Sequence, residues 1–134
     1  MNLAEARKHR AALGRKGENA ACSFLKNEGM TILARNWRCK AGELDIVALD
    51  GDELVFAEVK TSRFGNGFNP AHNLSPIQRK RNYHAAGVYM RVLDINGYPG
   101  RFDLIEVIWK NRFSYSIHHH RDYLPHLPPR KEFG

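Results

Sequence analysis

Apolar residues recur at helical spacing from about Ala4 to Glu28. Leu13, Gly17, Ala20 and Phe24 share one stripe with Ala21 and Leu25, and Gly29 supplies a C-terminal stop. The period then changes to that of strands. Met30–Arg38 is β-prone, Cys39–Ala41 is a short basic link, and Glu43–Leu49 forms a second strand. Asp50-Gly51 is a favoured hairpin turn, and Glu53–Thr61 follows as a third strand. Its core is apolar on both faces as far as Glu58, which predicts a central position in a sheet.

A glycine- and asparagine-containing loop spans Ser62–Leu74. Ser75-Pro76 opens a second helix, with serine as N-cap and proline in the first turn. Ile77, Ala85 and Val88 mark its buried side, with Tyr89 alongside. Arg101–Trp109 is a fourth strand, and Phe113–His118 a fifth that pairs with it as a hairpin. Residues 121–134 hold Pro125, Pro128 and Pro129 and are expected to be irregular. Residues 1–120 therefore read as a single domain, whose basic first twelve residues could fray or extend as an arm.

Composition narrows the function classes. The 134 residues are 43% hydrophobic, enough for one domain with a core. Lys and Arg number 21 against 14 Asp and Glu, a net charge of +7, which favours an anionic partner, most simply nucleic acid. Two cysteines without C-x-x-C spacing argue against a disulfide framework or a cysteine zinc site. No apolar run is long enough to span a membrane and no signal-peptide core is present, so the expected location is the cytoplasm, without membrane contact.

The chemistry concentrates in Gly42–Lys60. Glu58 and Lys60 share one face of the third strand, while Ala57 and Val59 point the other way. Antiparallel pairing through the Asp50-Gly51 turn would bring Asp45 opposite Glu58. Two carboxylates suit a hard divalent cation, and a lysine beside them could orient a water or stabilise charge on a phosphate. Glu18 borders the inward stripe of the first helix; periodicity alone leaves open whether it reaches solvent, a partner or a metal. Glu43 is either a neighbour of the site or an exposed strand-end residue. Gln78, Arg79, Lys80 and Arg81 crowd the start of the second helix like phosphate contacts, and Arg38, Lys40 and Arg63 extend the basic set. Asp103, among apolar residues, is expected to pair with Arg101 or a basic helix residue. His118–His120 read as solvated strand-end histidines. Trp37 is expected in the core, with base stacking as the lesser role for it and Phe64.

The ordered motifs carry a resemblance. These are G-R-K-G-E at Gly14–Glu18, A-R-N-W-R at Ala34–Arg38, G-E-L-D-I-V-A at Gly42–Ala48 and L-V-F-A-E-V-K at Leu54–Lys60, followed by Q-R-K-R on the second helix and R-F-D at Arg101–Asp103. Together they resemble the PD-(D/E)XK nuclease superfamily and, more narrowly, the YraN-like family, related to archaeal Holliday-junction resolvases. Leu44 stands where the superfamily's proline would be. The resemblance implies a restriction-endonuclease-like α/β fold: an αβββαβ core with a mixed central sheet of four or five strands flanked by helices. It implies Mg²⁺ or Mn²⁺ held by Asp45, Glu58 and the Val59 backbone carbonyl, with Lys60 acting on the water or phosphate. Glu18 would complete the catalytic set. It further implies an endonuclease acting on DNA, branched or junction DNA included, working as a homodimer as resolvases do. The alternative is a non-catalytic nucleic-acid-binding protein that keeps the fold.

Overall fold

The computed structural model describes residues 2–63 and 75–124. The elements run α1 (Leu3–Asn27), β1 (Thr31–Cys39), β2 (Gly42–Asp50), β3 (Glu53–Arg63), α2 (Pro76–Val92), β4 (Gly100–Trp109) and β5 (Tyr115–His120). This is the expected αβββαβ core with a fifth strand. The sheet order is β1-β2-β3-β4-β5, which leaves β3 in the centre. Only β3 and β4 run parallel; the other three pairs are antiparallel. The loop expected at Ser62–Leu74 lies outside the described residues beyond Arg63, Phe64 with it, as does most of the proline-containing tail.

Strand alternation sorts the apolar side chains into two cores, one on each face of the sheet. Ile46, Ala48, Val55, Ala57, Ile105 and Val107 meet Ala21, Cys22 and Leu25 of α1. Leu44, Val47, Phe56 and Phe102 meet Ala85, Ala86, Tyr89 and Met90 of α2. Trp37 joins the second core, edge-on to Tyr89 at 5.3 Å between ring centroids. Gly17 governs how closely α1 seats on the sheet. A Cβ at this position would overlap Thr61 Oγ1 and come within 3.1 Å of Thr61 Cβ. Glycine here is a packing requirement, and it brings the neighbouring Glu18 down to the sheet.

Three expectations are revised. The basic N-terminal stretch is not an arm: α1 is helical from Leu3, because Asn2 and Glu5 form a capping box that satisfies the first turn. Ile77 is 73% exposed and Val88 half-buried, because the inward stripe of α2 runs through Asn82, Ala85, Ala86, Tyr89 and Met90. Gln78, one turn before Asn82, continues that stripe inward in place of Ile77. The fifth strand starts at Tyr115, since residues 111–113 are taken up by the turn that Asn111 organises.

Within the histidine run His118 is exposed as expected, but His119 departs from a solvated strand end. His119 Nε2 lies 2.7 Å from Asp103 Oδ2, and the two side chains are 9% and 0% exposed. Asp103 accepts from Arg101 Nε at 3.0 Å as well, as the sequence led one to expect. Arg101 continues to Glu53 at 2.7 Å and to Asp50 at 3.0 Å, on either side of the β2–β3 turn. Burial opposes ionisation of Asp103, but the hydrogen bonds from His119, Arg101 and the Asp122 N–H outweigh it and hold this carboxyl below its ordinary range.

Replacing Gly17 with alanine is expected to destabilise the fold by about 1–3 kcal/mol, the usual cost of overpacking a core. The double variant Gly17→Ala/Thr61→Ala should recover much of that loss, because the overlapping Oγ1 is gone. Urea denaturation midpoints of the two variants check both statements. A Gly17→Ala protein as stable as the parent would show that α1 can shift without cost.

Candidate functional site

The site begins where strand regularity ends. Residues two apart on a regular strand share a face, yet Leu44 enters the α2-side core and Ile46 the α1-side core. The chain therefore turns over at Asp45. On the β1 side, Arg35 pairs with Ile46 and Trp37 with Leu44, which leaves Asn36 opposite Asp45 in a left-handed conformation at φ 49°. Asparagine tolerates that region better than most residues. On the β3 side the ladder begins at Asp50–Glu53 and stops at Ile46–Ala57. Beyond it β2 stays with β1 and β3 stays with β4, so the two strands separate.

Asp45 fills the gap. Its Oδ2 accepts the Val59 N–H at 2.9 Å, replacing the lost ladder partner with a side chain. In an extended strand the N–H and C=O of one residue point to the same edge, so the Val59 carbonyl faces this gap too. Glu58 and Lys60 project on the α2 side, as alternation predicted. Glu58 Oε1 accepts from Gln78 Nε2 at 2.9 Å and lies 3.6 Å from Lys60 Nζ. Gln78, singled out in the sequence on the second helix, thus holds the orientation of Glu58. The separation of the strands and the start of α2 enclose a cleft of ≈ 510 Å³ with Asp45 and Glu58 in its wall.

Both carboxyls are pushed upward. Burial is the largest cause for each. For Glu58 the next is the charge of Asp45, which outweighs Lys60. For Asp45 the Val59 N–H works against the rise, while Glu18 and Glu43 add to it. Glu18 is thus within electrostatic reach of Asp45 from the α1 side. The pair is poised to share a proton or to take up positive charge. The donor set fits a hard cation: one buried and one half-buried carboxylate, a backbone carbonyl at the gap, and room for water. Among the described residues no group of three His, Cys, Asp or Glu side chains could hold a metal by itself. Magnesium is commonly bound by one or two carboxylates, with waters and phosphate completing its shell.

The remaining sequence candidates divide. Arg38, Lys40 and Arg81 line the cleft together with Gln78 and Ser75. Glu43 stands in the same wall and pairs with Arg38 at 3.5 Å. Arg79 and Lys80 are exposed on α2 outside the lining, and Arg63 is exposed at the end of β3. Two residues near the site were not singled out by the sequence. Glu106 of β4 is buried and sits in register with Lys60. Its signal was a second acid, after Asp103, in the apolar run of the fourth strand. Tyr123 has a buried hydroxyl with no hydrogen-bond partner among the described residues. Burial, and then the charge of Glu58, push its phenol upward, so it stays a donor. Nothing in its sequence context marked it.

Because the folded pair holds protons more tightly than the unfolded chain, the folded state binds more protons over the window above the ordinary carboxylate pKa. Stability must therefore fall as pH rises through that window. In chelator, Glu58→Gln is expected to flatten the fall between about pH 4.5 and pH 8 and to be the more stable protein at the upper end, by about 1–2 kcal/mol. Denaturation midpoints across pH measure it. A Glu58→Gln protein with the same pH slope as the parent would contradict the strained pair.

The comparisons with known proteins agree with each other. The uncharacterised protein family UPF0102 matches residues 17–107, a span that holds Glu18, Asp45, Glu58, Lys60 and Gln78. A UPF0102 protein of Oleidesulfovibrio alaskensis is 48% identical over 102 residues, covering 75% of this chain and 50% of that protein. One from Streptomyces griseus subsp. griseus is 44% identical over 107 residues, covering 77% and 87% respectively. One from Acidothermus cellulolyticus is 46% identical over 110 residues, covering 74% and 83%. The chain thus spans half the length of the first relative and most of the length of the other two. With more than half of its residues matched and relatives well above 30% identity, the chain belongs to the uncharacterised protein family UPF0102.

Proposed function

We propose that the cleft hydrolyses phosphodiester bonds in nucleic acid, DNA first, with Mg²⁺ or Mn²⁺ as cofactor. The observation that carries this reading is the convergence of Asp45, Glu58 and Lys60 at the point where β2 leaves β3, with the two carboxylates in the wall of a cleft with a cationic rim. Asp45, Glu58 and the Val59 carbonyl would hold the cation, with Glu18 near enough to add its charge. Such a cation supplies a more acidic water and charge stabilisation on the phosphate.

The protein's own groups do the rest. Gln78 holds Glu58 by one oxygen, so the carboxylate cannot rotate away from the gap. Lys60 is 26% exposed, and its ammonium stands 3.6 Å from Glu58, which forms part of the cleft wall. It is placed to orient an attacking water or to bind a non-bridging phosphate oxygen. Arg38, Lys40 and Arg81 attract and align the polyanion, a contribution that weakens as salt rises. The second reading, a binding protein without cleavage, draws on the same internal bonds: Gln78 and Lys60 satisfy Glu58 without any cation.

The test uses end-labelled duplex, flap and four-way-junction DNA, with Mg²⁺ or Mn²⁺. Cleavage is expected, with junction or flap DNA as the preferred substrate, and it should stop in chelator. Asp45→Asn should abolish it, and Lys60→Ala should lower the rate about 100-fold or more while binding survives. Salt-sensitive binding that ignores chelator, with no cleavage of any substrate, would replace the enzyme with the binding module. Cleavage undiminished in Lys60→Ala would remove the lysine from the mechanism.

A further inference from the structure

The hairpin between β4 and β5 carries an aromatic ring that the fold does not use. Phe113 is 87% exposed. A lone exposed apolar side chain is ordinary on a protein surface. This one is distinguished by the rigidity of what presents it. Lys110 N–H donates to Ser114 O at 2.9 Å and closes the turn. Asn111 Oδ1 accepts from Phe113 N–H at 2.8 Å and from Ser114 N–H at 3.0 Å, so the tip has its backbone donors satisfied from within. Below it, Trp109 packs against Tyr115 with centroids 4.8 Å apart. Lys16 of α1 lies 4.5 Å from the Trp109 ring centre and donates to Arg112 O at 3.3 Å. The ring is held out on a turn that is tied to the body of the protein.

Its surroundings are cationic. Lys110 and Arg112 flank it, and Arg112 is 5.8 Å from the ring. No acidic residue occurs between Lys110 and Arg121. A flat apolar face among cations matches a nucleic acid with an accessible base: the ring stacks while the cations meet the flanking phosphates. Position supports the same partner. Lys60 is in register with Glu106; β4 continues three residues from there to Trp109, and Lys110 opens the tip. At about 3.3 Å per residue the tip begins ~13 Å from Glu106, about four base-pair rises of a duplex. That separation from the strand position of Lys60 is within the span of one bound nucleic-acid molecule.

Within a duplex the base faces are covered by their neighbours. A rigid ring finds a free face only where pairing stops, at a tail, flap or branch. We infer that Phe113 is a stacking contact for an unpaired base, and that the β4–β5 hairpin directs this protein to discontinuities in a duplex. The inference rests on the nucleic-acid reading above. It adds which feature of the substrate is recognised, and by what.

The test compares a blunt duplex with the same duplex carrying a single-stranded tail, in chelator so that nothing is cut. The base at the junction is 2-aminopurine, whose fluorescence reports stacking. The parent protein is expected to bind the tailed form more tightly and to quench the probe. Phe113→Ala should bind the tailed form about 5- to 100-fold more weakly, bind the blunt form as the parent does, and leave the probe bright. Phe113→Trp should restore both readouts, and unchanged melting temperatures would show that all three proteins are folded. Equal binding of tailed and blunt DNA by parent and Phe113→Ala alike overturns this inference and leaves the nucleic-acid reading standing. No binding to any nucleic acid at low salt overturns both. Capture by vesicles containing anionic lipid, lost in Phe113→Ala and without DNA binding, would make the tip a membrane contact and likewise overturn it.

Discussion

The site depends on one local irregularity, the reversal of strand alternation at Asp45. A regular β2 would send Asp45 to the same face as Val47 and continue the ladder to β3. Instead the chain turns over between Leu44 and Ile46, Asn36 takes a left-handed conformation opposite, and the Asp45 carboxylate assumes the role of a backbone acceptor for Val59. The strands part at that point, and the parting creates the cleft. The buried carboxyl pair, the carbonyl at the gap and the access for a substrate all follow from it. Gly17 contributes from the other face. Its lack of a side chain lets α1 sit against Thr61 and puts Glu18 within electrostatic reach of Asp45.

The sheet holds two groups of buried carboxylates with opposite electrostatic character. Asp103 is fully satisfied, with Arg101, His119 and the Asp122 N–H all donating to it. It is ionised at little cost, and its stabilising effect is lost only as pH falls. Asp45 and Glu58 repel each other, and Lys60, a cation paired with them, stands 3.6 Å from Glu58. Their charge is costly and grows as pH rises. The first arrangement is what a structural network looks like. The second leaves free energy available to whatever brings positive charge into the gap.

Much of this was legible in the sequence because it rests on period and turn chemistry. The two helices, the Asp50-Gly51 hairpin and the central place of Glu53–Thr61 follow from spacing and local propensity. So does the shared face of Glu58 and Lys60. What was illegible depends on tertiary register. Ile77 looked like a core residue on hydrophobicity, but the stripe of α2 is set by contact with Phe56, Trp37 and Phe102, and it selects Gln78. His119 read as a solvated strand-end residue although β5 was expected beside β4; only the register of that pairing brings it to Asp103. Glu106 and Tyr123 come to the site only through parallel pairing of β3 with β4 and the return of the chain after β5. Neither event leaves a local signature. Family membership is shown by the comparisons, whereas the chemistry is argued from the geometry of Asp45, Glu58 and Lys60.

Arg101 has a consequence for how the protein reaches this arrangement. Asp50 and Glu53, the two acceptors it draws from the β2–β3 turn, are cross-strand neighbours on either side of Asp50-Gly51. They are separated from Arg101 by 51 and 48 positions in the chain. The hairpin itself is local and can close early, in more than one alignment. A slip of one residue would turn every side chain of one strand to the opposite face, and it would leave Arg101 without both acceptors when β4 docks. The arginine therefore acts as a late inspector of the hairpin's alignment. Asp45 faces Val59 in the finished protein because a distant strand accepts only the register in which it does.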